Sequence, residues 1–133
     1  MDESVFGKMR LKPGATARVF YPPPSYPKPE EYNWVEDGKA TFVHVFVESR
    51  AQFAARFCEA LAACPGDALL WVSYPKPQAG QVVDINRDSL WALLLDVGYH
   101  PVSQVSLGAD WSAVRAKRNE IGVQYEPPAN VRR

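Results

Sequence analysis

The sequence predicts a single three-layer α/β domain with a mostly parallel sheet of four or five strands and an antiparallel hairpin at its C-terminal end. The first observation is the segment 69–98, which has the pattern of one buried strand, a polar loop and a capped helix. The second is a similar strand–helix unit at 41–64, since two consecutive units imply parallel strands with right-handed crossovers. The third is a hairpin pattern at 101–117.

The N-terminal part predicts a short helix in the first dozen residues, a short strand at 17–21 and a proline-rich loop over about 21–40. Five prolines in the first ten residues of this loop make it stiff and extended. Loops of this length are often lids or binding loops, although a rigid surface wrap without a ligand is equally compatible with the pattern. Trp34, within the loop, is expected to be exposed.

The first central unit begins with a strand at 41–47, which is rich in β-branched and aromatic residues. Ser49 and Gln52 form a capping-box pattern, and apolar residues then recur every four positions from Phe53 to Leu61. The spacing predicts a helix that ends in the turn at 64–67.

The second central unit is a strand over 69–74, stopped by the prolines at positions 75 and 77. Either Asp84 or Asn86 can cap the following helix, which is expected to end at Gly98. Polar residues of the loop gather at the carboxyl end of the strand, where open α/β sheets bind ligands. These residues are Lys76, Gln78, Asp84, Asn86 and Arg87.

Length and charge set the broad class. A chain of 133 residues corresponds to one domain, which we place at 1–118, followed by a polar tail at 119–133 that is expected to be loosely held. Fifteen basic and fifteen acidic residues give no net charge, so neither nucleic acid nor a membrane surface is expected as a partner.

The cysteines and the N-terminus favour a reduced, cytoplasmic protein. Cys58 and Cys64 are poorly spaced on a helix to form a disulfide, and no CxxC or histidine-rich segment predicts a metal site. The first residues lack the pattern of a signal peptide, and no apolar run is long enough to span a bilayer. No phosphate-binding glycine loop or hydrolase motif is present, so no cofactor is expected.

A resemblance extends over roughly residues 9–117. The motifs that carry it are 11–14, 70–76, Asp84 with 86–88, Trp91, Gly98, 101–102, 104–105, Trp111, Ala113 and Arg115. The chain resembles a family of short bacterial proteins known as a domain of unknown function, which implies a Rossmann-like domain. It is also similar to the C-terminal half of class I methyltransferases, which end in a strand, a helix and an antiparallel hairpin. Prolines 22–24 replace the glycine-rich loop of those enzymes, which argues against bound adenosylmethionine.

The pentapeptide Ser-Tyr-Pro-Lys-Pro occurs at 25–29 and again at 73–77. Both copies follow predicted strands, so both could project from one rim of the sheet and present Tyr26, Lys28, Tyr74 and Lys76. Two lysines, Lys28 and Lys76, facing one cleft would favour the binding of an anion such as phosphate or carboxylate. Coincidence in a proline-rich chain is the competing interpretation.

Lys76 and Arg87 are the leading candidates for binding. Arg87 lies at a helix N-terminus, which already attracts anions, and its own charge opposes the helix dipole there. It therefore needs a partner, which could be Asp84, Asp88 or a bound anion. A salt bridge of Arg87 with Asp88 or Asp110 that pins the loop is an equally good interpretation.

The two histidines are interpreted as structural. His44 lies in the middle of an apolar strand, so a hydrogen-bonded core histidine is favoured over a general base. His100 is expected in a surface loop. Trp71 and Trp91 fit the apolar patterns of a strand and a helix and are expected in the core.

Together these observations predict a non-catalytic binding or interaction module that holds a small anionic ligand or a protein partner at the strand rim. The alternative is a small enzyme, degenerate from a transferase-like fold, that acts on an anionic substrate. A third possibility is a structural subunit that forms a homodimer. The candidate ligand-binding residues are Tyr26, Lys28, Tyr74, Lys76, Gln78, Asp84 and Arg87; catalytic residues are not assigned.

Overall fold

The computed structural model describes residues 1–78 and 83–126. Within these ranges the elements follow in the order α1 (Val5–Lys8), β1 (Thr16–Phe20), β2 (Asn33–Trp34), β3 (Phe42–Phe46), α2 (Arg50–Ala62), β4 (Leu69–Pro75), α3 (Arg87–Asp96), β5 (Tyr99–Ser106) and β6 (Trp111–Arg118). No helix of this part of the chain is long and apolar enough to cross a membrane.

The strands form one mixed sheet in the order β2-β1-β3-β4-β6-β5. Strands β1 to β4 are parallel, whereas β6 is antiparallel to β4 and β5 is antiparallel to β6. The predicted α/β architecture, with its parallel block and its C-terminal hairpin, is confirmed. The described sheet has six strands rather than four or five, because the two-residue β2 lies within the segment predicted as loop.

Side chains of successive strand residues point to opposite faces of the sheet and so build two cores. On β3, which is buried along its whole length, Val43 and Val45 pack in the core that contains α2 and α3 residues. Phe42 and Phe46 pack instead in the core that contains α1 residues. The sheet is therefore the middle of three layers, as predicted.

The proline-rich segment makes the β1–β2 crossover without a helix and forms part of the second core. Tyr26 is buried, and Tyr32 and Trp34 pack edge-on against Phe6 with ring centroids 5.6 and 5.4 Å away. Trp34 is half-buried and its Nε1 donates to the carbonyl of Pro29 at 3.0 Å, so the prediction of an exposed Trp34 is wrong. The segment covers the sheet because its aromatic residues pack on Phe6 of α1.

Helix α2 begins as predicted, but its capping box does not form. Ser49 occupies the N-cap position without a side-chain hydrogen bond, and the Gln52 side chain accepts from the backbone N–H of Glu48 at 2.8 Å. The backbone N–H of Arg50 is satisfied from a distant loop, because it donates to Asp84 Oδ1 at 3.0 Å. Asp84, which follows β4 in the chain, thus accepts the hydrogen bond at the N-terminus of α2.

Helix α3 has the capping box that the local sequence did not make obvious. Asn86 Oδ1 accepts from the backbone N–H of Ser89 at 2.9 Å, and Ser89 Oγ accepts from the backbone N–H of Asn86 at 2.8 Å. Of the two predicted caps, Asn86 serves α3 whereas Asp84 serves α2. Gly98, with φ of +86°, follows the end of α3 in the left-handed conformation that favours glycine.

The beginning of the tail contacts the sheet. His100 lies in β5, is half-buried and stacks on Tyr125 with ring centroids 4.1 Å apart, and its Nδ1 is hydrogen-bonded to Asn119 at 2.8 Å. The prediction of His100 as a surface loop residue is therefore wrong, because β5 starts earlier than the pattern indicated. The last part of the predicted tail, at 127–133, lies outside the described residues.

Candidate functional site

The two copies of Ser-Tyr-Pro-Lys-Pro meet in the core through a histidine. The Tyr26 hydroxyl of the first copy lies 3.0 Å from His44 Nδ1, and the Ser73 hydroxyl of the second copy lies 2.6 Å from His44 Nε2. All three side chains are buried. The copies therefore share a hydrogen-bonded row, although it joins a tyrosine and a serine rather than the two lysines.

This row has the composition of a nucleophile with a base, but its surroundings do not suit catalysis. His44 and Ser73 have no exposed surface, so a substrate cannot reach either group in this conformation. Burial lowers the pKa of His44 from 6.5 to about 3 and raises the pKa of Tyr26 well above its ordinary value. His44 is thus a neutral, hydrogen-bonded core histidine, and the structural interpretation made from the sequence is confirmed.

Lys76 is held by the turn of the C-terminal hairpin. Its Nζ donates to Ser106 Oγ and to the carbonyl of Gly108, both at 2.6 Å, while its backbone N–H donates to the carbonyl of Asp110 at 2.8 Å. Gln78 Nε2 donates to Asp110 Oδ1 at 2.9 Å. These two candidate binding residues connect the loop after β4 to the hairpin.

Tyr74 lies near the carboxyl end of β4, and Arg87 is the first residue of α3. A cavity of about 160 Å³ separates α3 from β5, and Arg87, Trp91, Ser103 and Gln104 contribute to its lining. The Tyr74 hydroxyl accepts from Gln104 Nε2 at 3.0 Å. Burial raises the pKa of Tyr74, and the charge of Arg87 opposes that effect, so the guanidinium acts electrostatically on this phenol. We call this cavity the α3–β5 groove.

Trp91 is half-buried rather than in the core as predicted, and the contributions of Ser103 and Gln104 to this groove were not predicted from the sequence. The register between β5 and β6 shifts between Pro101 and Ser103. A proline within a predicted strand often accompanies such a bulge, so Pro101 was an available signal.

Lys28 lies in a separate cleft at the carboxyl ends of β1 and β2. This cleft has a volume of about 340 Å³, and Tyr21, Trp34, Glu36 and Glu59 also line it. Tyr21 has φ of +58°, a left-handed conformation that is unfavourable for a tyrosine, and its hydroxyl donates to Glu59 Oε1 at 2.9 Å. In the sheet, β2 lies on one side of β1 and β3 lies on the other, so the direction in which strands are added reverses at β1. The cleft therefore borders the topological switch point of the sheet. We call it the switch-point cleft.

The seven candidate residues therefore do not form one site. Tyr26 is in the core, Lys28 is in the switch-point cleft, and Arg87 lines the α3–β5 groove. Tyr74 is buried behind Gln104, Lys76 and Gln78 hold the hairpin, and Asp84 contacts α2. Within residues 1–78 and 83–126 no group of three or more histidine, cysteine or acidic side chains could hold a metal ion.

The mixed sheet, its antiparallel C-terminal hairpin and its covering on both faces define the class: this is the Rossmann-like fold of the class I methyltransferases, which use S-adenosylmethionine. The chain is similar to a 1,6-didemethyltoxoflavin-N1-methyltransferase of Burkholderia thailandensis, solved with 1,6-didemethyltoxoflavin and S-adenosylhomocysteine. The TM-score is 0.56 at 11% identity, over 88% of this chain and 76% of the other.

Two further structures show the same likeness. A tRNA methyltransferase of B. subtilis gives a TM-score of 0.51 at 12% identity, over 90% of this chain and 67% of the other. A ribosomal protein L11 methylase of Lactobacillus delbrueckii subsp. bulgaricus gives 0.50 at 11% identity, over 86% of this chain and 75% of the other. No protein-family model and no curated protein sequence matches the chain. At these identities the likeness establishes the fold alone.

Proposed function

We propose that the chain is a non-catalytic binding module of methyltransferase fold, which holds a small anionic ligand in the α3–β5 groove. The observation that carries the proposal is the position of Arg87. It is exposed, lines the groove and, among the described residues, forms no ion pair with a carboxylate. The three carboxylates considered from the sequence, Asp84, Asp88 and Asp110, form no ion pair with it; Asp84 accepts from the Arg50 N–H and Asp110 from Gln78.

The position of Arg87 favours an anion for an electrostatic reason. It is the first residue of α3, where the free N–H groups and the helix dipole already give a positive potential. The guanidinium lies 5.8 Å from the centroid of the Trp91 ring, which holds it beside the cavity. A bound carboxylate or phosphate would be stabilised by both the guanidinium and the helix N-terminus.

The polar groups on the opposite wall complement that charge. Ser103 and Gln104 are exposed residues of β5 that line the groove and carry hydrogen-bond donors. A cavity of about 160 Å³ is smaller than those that hold drug-sized ligands, which favours a compact anion such as phosphate or a short carboxylic acid.

The non-catalytic part of the proposal is supported by the sealed Tyr26–His44–Ser73 row. Its imidazole is neutral and has no exposed surface, so it cannot exchange a proton with a ligand in the groove. The reduced, cytoplasmic setting stays part of the proposal and is supported by the free thiols of Cys58 and Cys64.

The test is isothermal titration of the protein with inorganic phosphate and with succinate at low salt, repeated on Arg87→Gln and on Lys28→Gln. Removing one charge-assisted contact should weaken binding in the groove about tenfold or more in Arg87→Gln. Lys28→Gln removes the same charge at the other cleft and should bind like the parent. Equal affinity in the parent and Arg87→Gln would refute a ligand in this groove.

A second candidate is a small transferase-like enzyme that uses the switch-point cleft. The observation that favours it is the strained Tyr21 at the end of β1, since strained backbone concentrates at functional sites. Glu36 and Lys28 would supply a hydrogen-bond acceptor and a cation. Titration with S-adenosylhomocysteine, the molecule in the Burkholderia structure, separates the candidates: binding lost in Lys28→Gln and kept in Arg87→Gln would favour the enzyme.

A protein partner is the remaining possibility carried from the sequence, with a homodimer as its simplest form. Association stabilises folded protein by mass action, so a dimer predicts a melting temperature that rises with protein concentration. A constant melting temperature over a hundredfold range, together with phosphate binding, would leave the small-ligand proposal standing.

A further inference from the structure

Side chains of the protein itself lie in the crevice between the carboxyl ends of β1 and β3. Open α/β sheets bind ligands outside the carboxyl ends of their strands, at the point where the strand order reverses. In this sheet that point lies at β1, next to β3. The two strands pair as far as Phe20 and Val45, one residue before the end of β3. We call the space beyond this pair the β1–β3 crevice.

Arg56, from α2, reaches into this crevice. It is half-buried, and its Nη1 donates to the carbonyl of Phe46, the last residue of β3, at 3.0 Å. The guanidinium carbon lies 4.1 Å from the centroid of the Tyr21 ring. Because Tyr21 directly follows β1, the stacked ring and guanidinium connect the end of β1 to the end of β3. A ligand that lies across these two strand ends would have to displace them.

Glu59 holds the Tyr21 ring in this position. The Tyr21 hydroxyl donates to Glu59 Oε1 at 2.9 Å, and Glu59 lies three residues after Arg56 on the same helix. The hydrogen bond to Glu59 raises the pKa of Tyr21, while the charge of Arg56 opposes this effect. The left-handed backbone of Tyr21, with φ of +58°, is maintained by these tertiary contacts. We call Tyr21, Arg56 and Glu59 the tyrosine clamp.

The backbone after β1 does not suit the ligand of this fold class either. In nucleotide-binding units of α/β sheets, the N–H groups of a glycine-rich turn and of a helix N-terminus hold the anionic part of the ligand. Here residues 22–24 are prolines, which have no N–H, and the segment between β1 and β2 contains no helix. The residues at the β1–β3 crevice therefore do not fit S-adenosylmethionine.

We infer that the tyrosine clamp closes the ligand crevice of the fold from within and excludes S-adenosylmethionine from the switch point. The inference counts against the second candidate function, because Tyr21 lines the switch-point cleft and separates it from Arg56 in the crevice. It does not depend on the anion proposed for the α3–β5 groove, since no residue of the clamp lines that cavity.

A titration of the Tyr21 phenol tests whether the clamp forms in solution. The ultraviolet absorbance of phenolate is followed with pH, and subtracting the curve of the matching Tyr21→Phe variant isolates Tyr21. Glu59→Gln should lower the midpoint and Arg56→Gln should raise it, because these two residues shift the pKa in opposite directions. Glu120→Gln, which removes an exposed carboxylate outside the clamp, should leave it unchanged. An unchanged midpoint in both clamp variants would overturn the inference.

Isothermal titration with S-adenosylhomocysteine, the molecule bound in the Burkholderia structure, tests the closure. The parent should bind it with a Kd weaker than about 1 mM. The double variant Tyr21→Gly/Arg56→Ala removes both side chains from the crevice, and glycine adopts a left-handed φ without strain. It should bind with a Kd of about 0.1 mM or tighter, a gain of at least about tenfold. Tyr125→Gly, which removes a ring that stacks on His100, should behave like the parent.

Two results of this titration would overturn the inference. Micromolar binding by the parent would show that the crevice is open, and a folded double variant without any gain would show that the clamp is not the obstacle. Circular dichroism establishes that each variant is folded; if the double variant is not, the parent titration and the phenol midpoints still decide. Phosphate binding that depends on Arg87 concerns the groove alone, so either proposal can fail without the other.

Discussion

Protonation of His44 should destabilise the protein in mild acid. The imidazole is enclosed by the rings of Phe42, Phe46 and Tyr26, with centroids 6.2, 4.4 and 5.5 Å away, and both of its nitrogens are hydrogen-bonded to hydroxyls. No carboxylate is among these neighbours to stabilise an imidazolium. Acid therefore places a proton on this ring far more readily in the unfolded chain than in the folded one.

The sign and size follow from the two pKa values of this group. Burial lowers the pKa of His44 from 6.5 to about 3, so above pH 6.5 neither state is protonated and the full stability is present. As the pH falls below 6.5 the unfolded chain takes up a proton, and the free energy of unfolding decreases by about 1.4 kcal/mol per pH unit. The decrease from this group should reach about 3 kcal/mol at pH 4.5 and cease near pH 3.

The assay is urea unfolding, followed by tryptophan fluorescence, at pH values from 7.5 to 4.5 for the parent and for His44→Gln. The variant cannot titrate at this position, so subtracting its profile removes the contributions of the carboxyl groups. The parent should lose about 3 kcal/mol more than the variant between pH 6.5 and 4.5. If the free energy of unfolding fell equally with pH in the parent and in His44→Gln, the pKa of His44 would be the same in the folded and unfolded chains, and the burial argument would be refuted.

A measurement on the parent protein alone guards against a variant that fails to fold. The ring Cε1–H signal of His44 in NMR spectra should keep the chemical shift of a neutral imidazole down to pH 5. A titration with a midpoint near 6.5 would contradict the burial argument.

Three further predictions concern stability at neutral pH. Tyr26→Phe leaves a buried imidazole nitrogen without its partner and should lower the free energy of unfolding by about 1–3 kcal/mol, measured by urea unfolding. The control Tyr32→Phe should change the free energy of unfolding by less than about 0.5 kcal/mol. Lys76→Met removes two hydrogen bonds to the hairpin turn and should cost about 1–2 kcal/mol; a stability equal to the parent's would show that these contacts contribute nothing. Asn86→Ala removes the α3 cap and should cost about 1 kcal/mol, whereas Ser49→Ala, at an N-cap without a side-chain bond, should be near neutral, and a reversed order in thermal unfolding would contradict the assignment of the caps.

The backbone of the central units could be predicted because its signals are local. The apolar runs of β3 and β4, the four-residue spacing in α2 and the glycine after α3 each lie within about ten residues of sequence. Hydrophobic periodicity and turn residues indicate such elements without reference to distant contacts. The two-residue β2 could not be found in this way, since its pairing with β1 depends on how the proline-rich segment folds back.

The contacts of the candidate site residues, in contrast, could not be predicted from local sequence. The sequence supplied the residue types at the strand ends, including Lys76, Arg87 and the two Ser-Tyr-Pro-Lys-Pro copies. It did not supply their partners, because Lys76 is held by a turn more than thirty residues away and Asp84 serves a helix that begins 34 residues before it. A polar side chain at a strand end has several partners within reach, and only the packed chain selects among them.

The sequence by itself determined the α/β class, the parallel block, the C-terminal hairpin and the structural role of a histidine in an apolar strand. Only the tertiary structure decided that the tyrosine of the first Ser-Tyr-Pro-Lys-Pro copy fills the core, that the two lysines diverge and that Arg87 faces a cavity. The physical reason is the range of the interactions concerned. Burial patterns repeat along the chain, whereas hydrogen bonds and charge pairs join residues that folding brings together from distant positions.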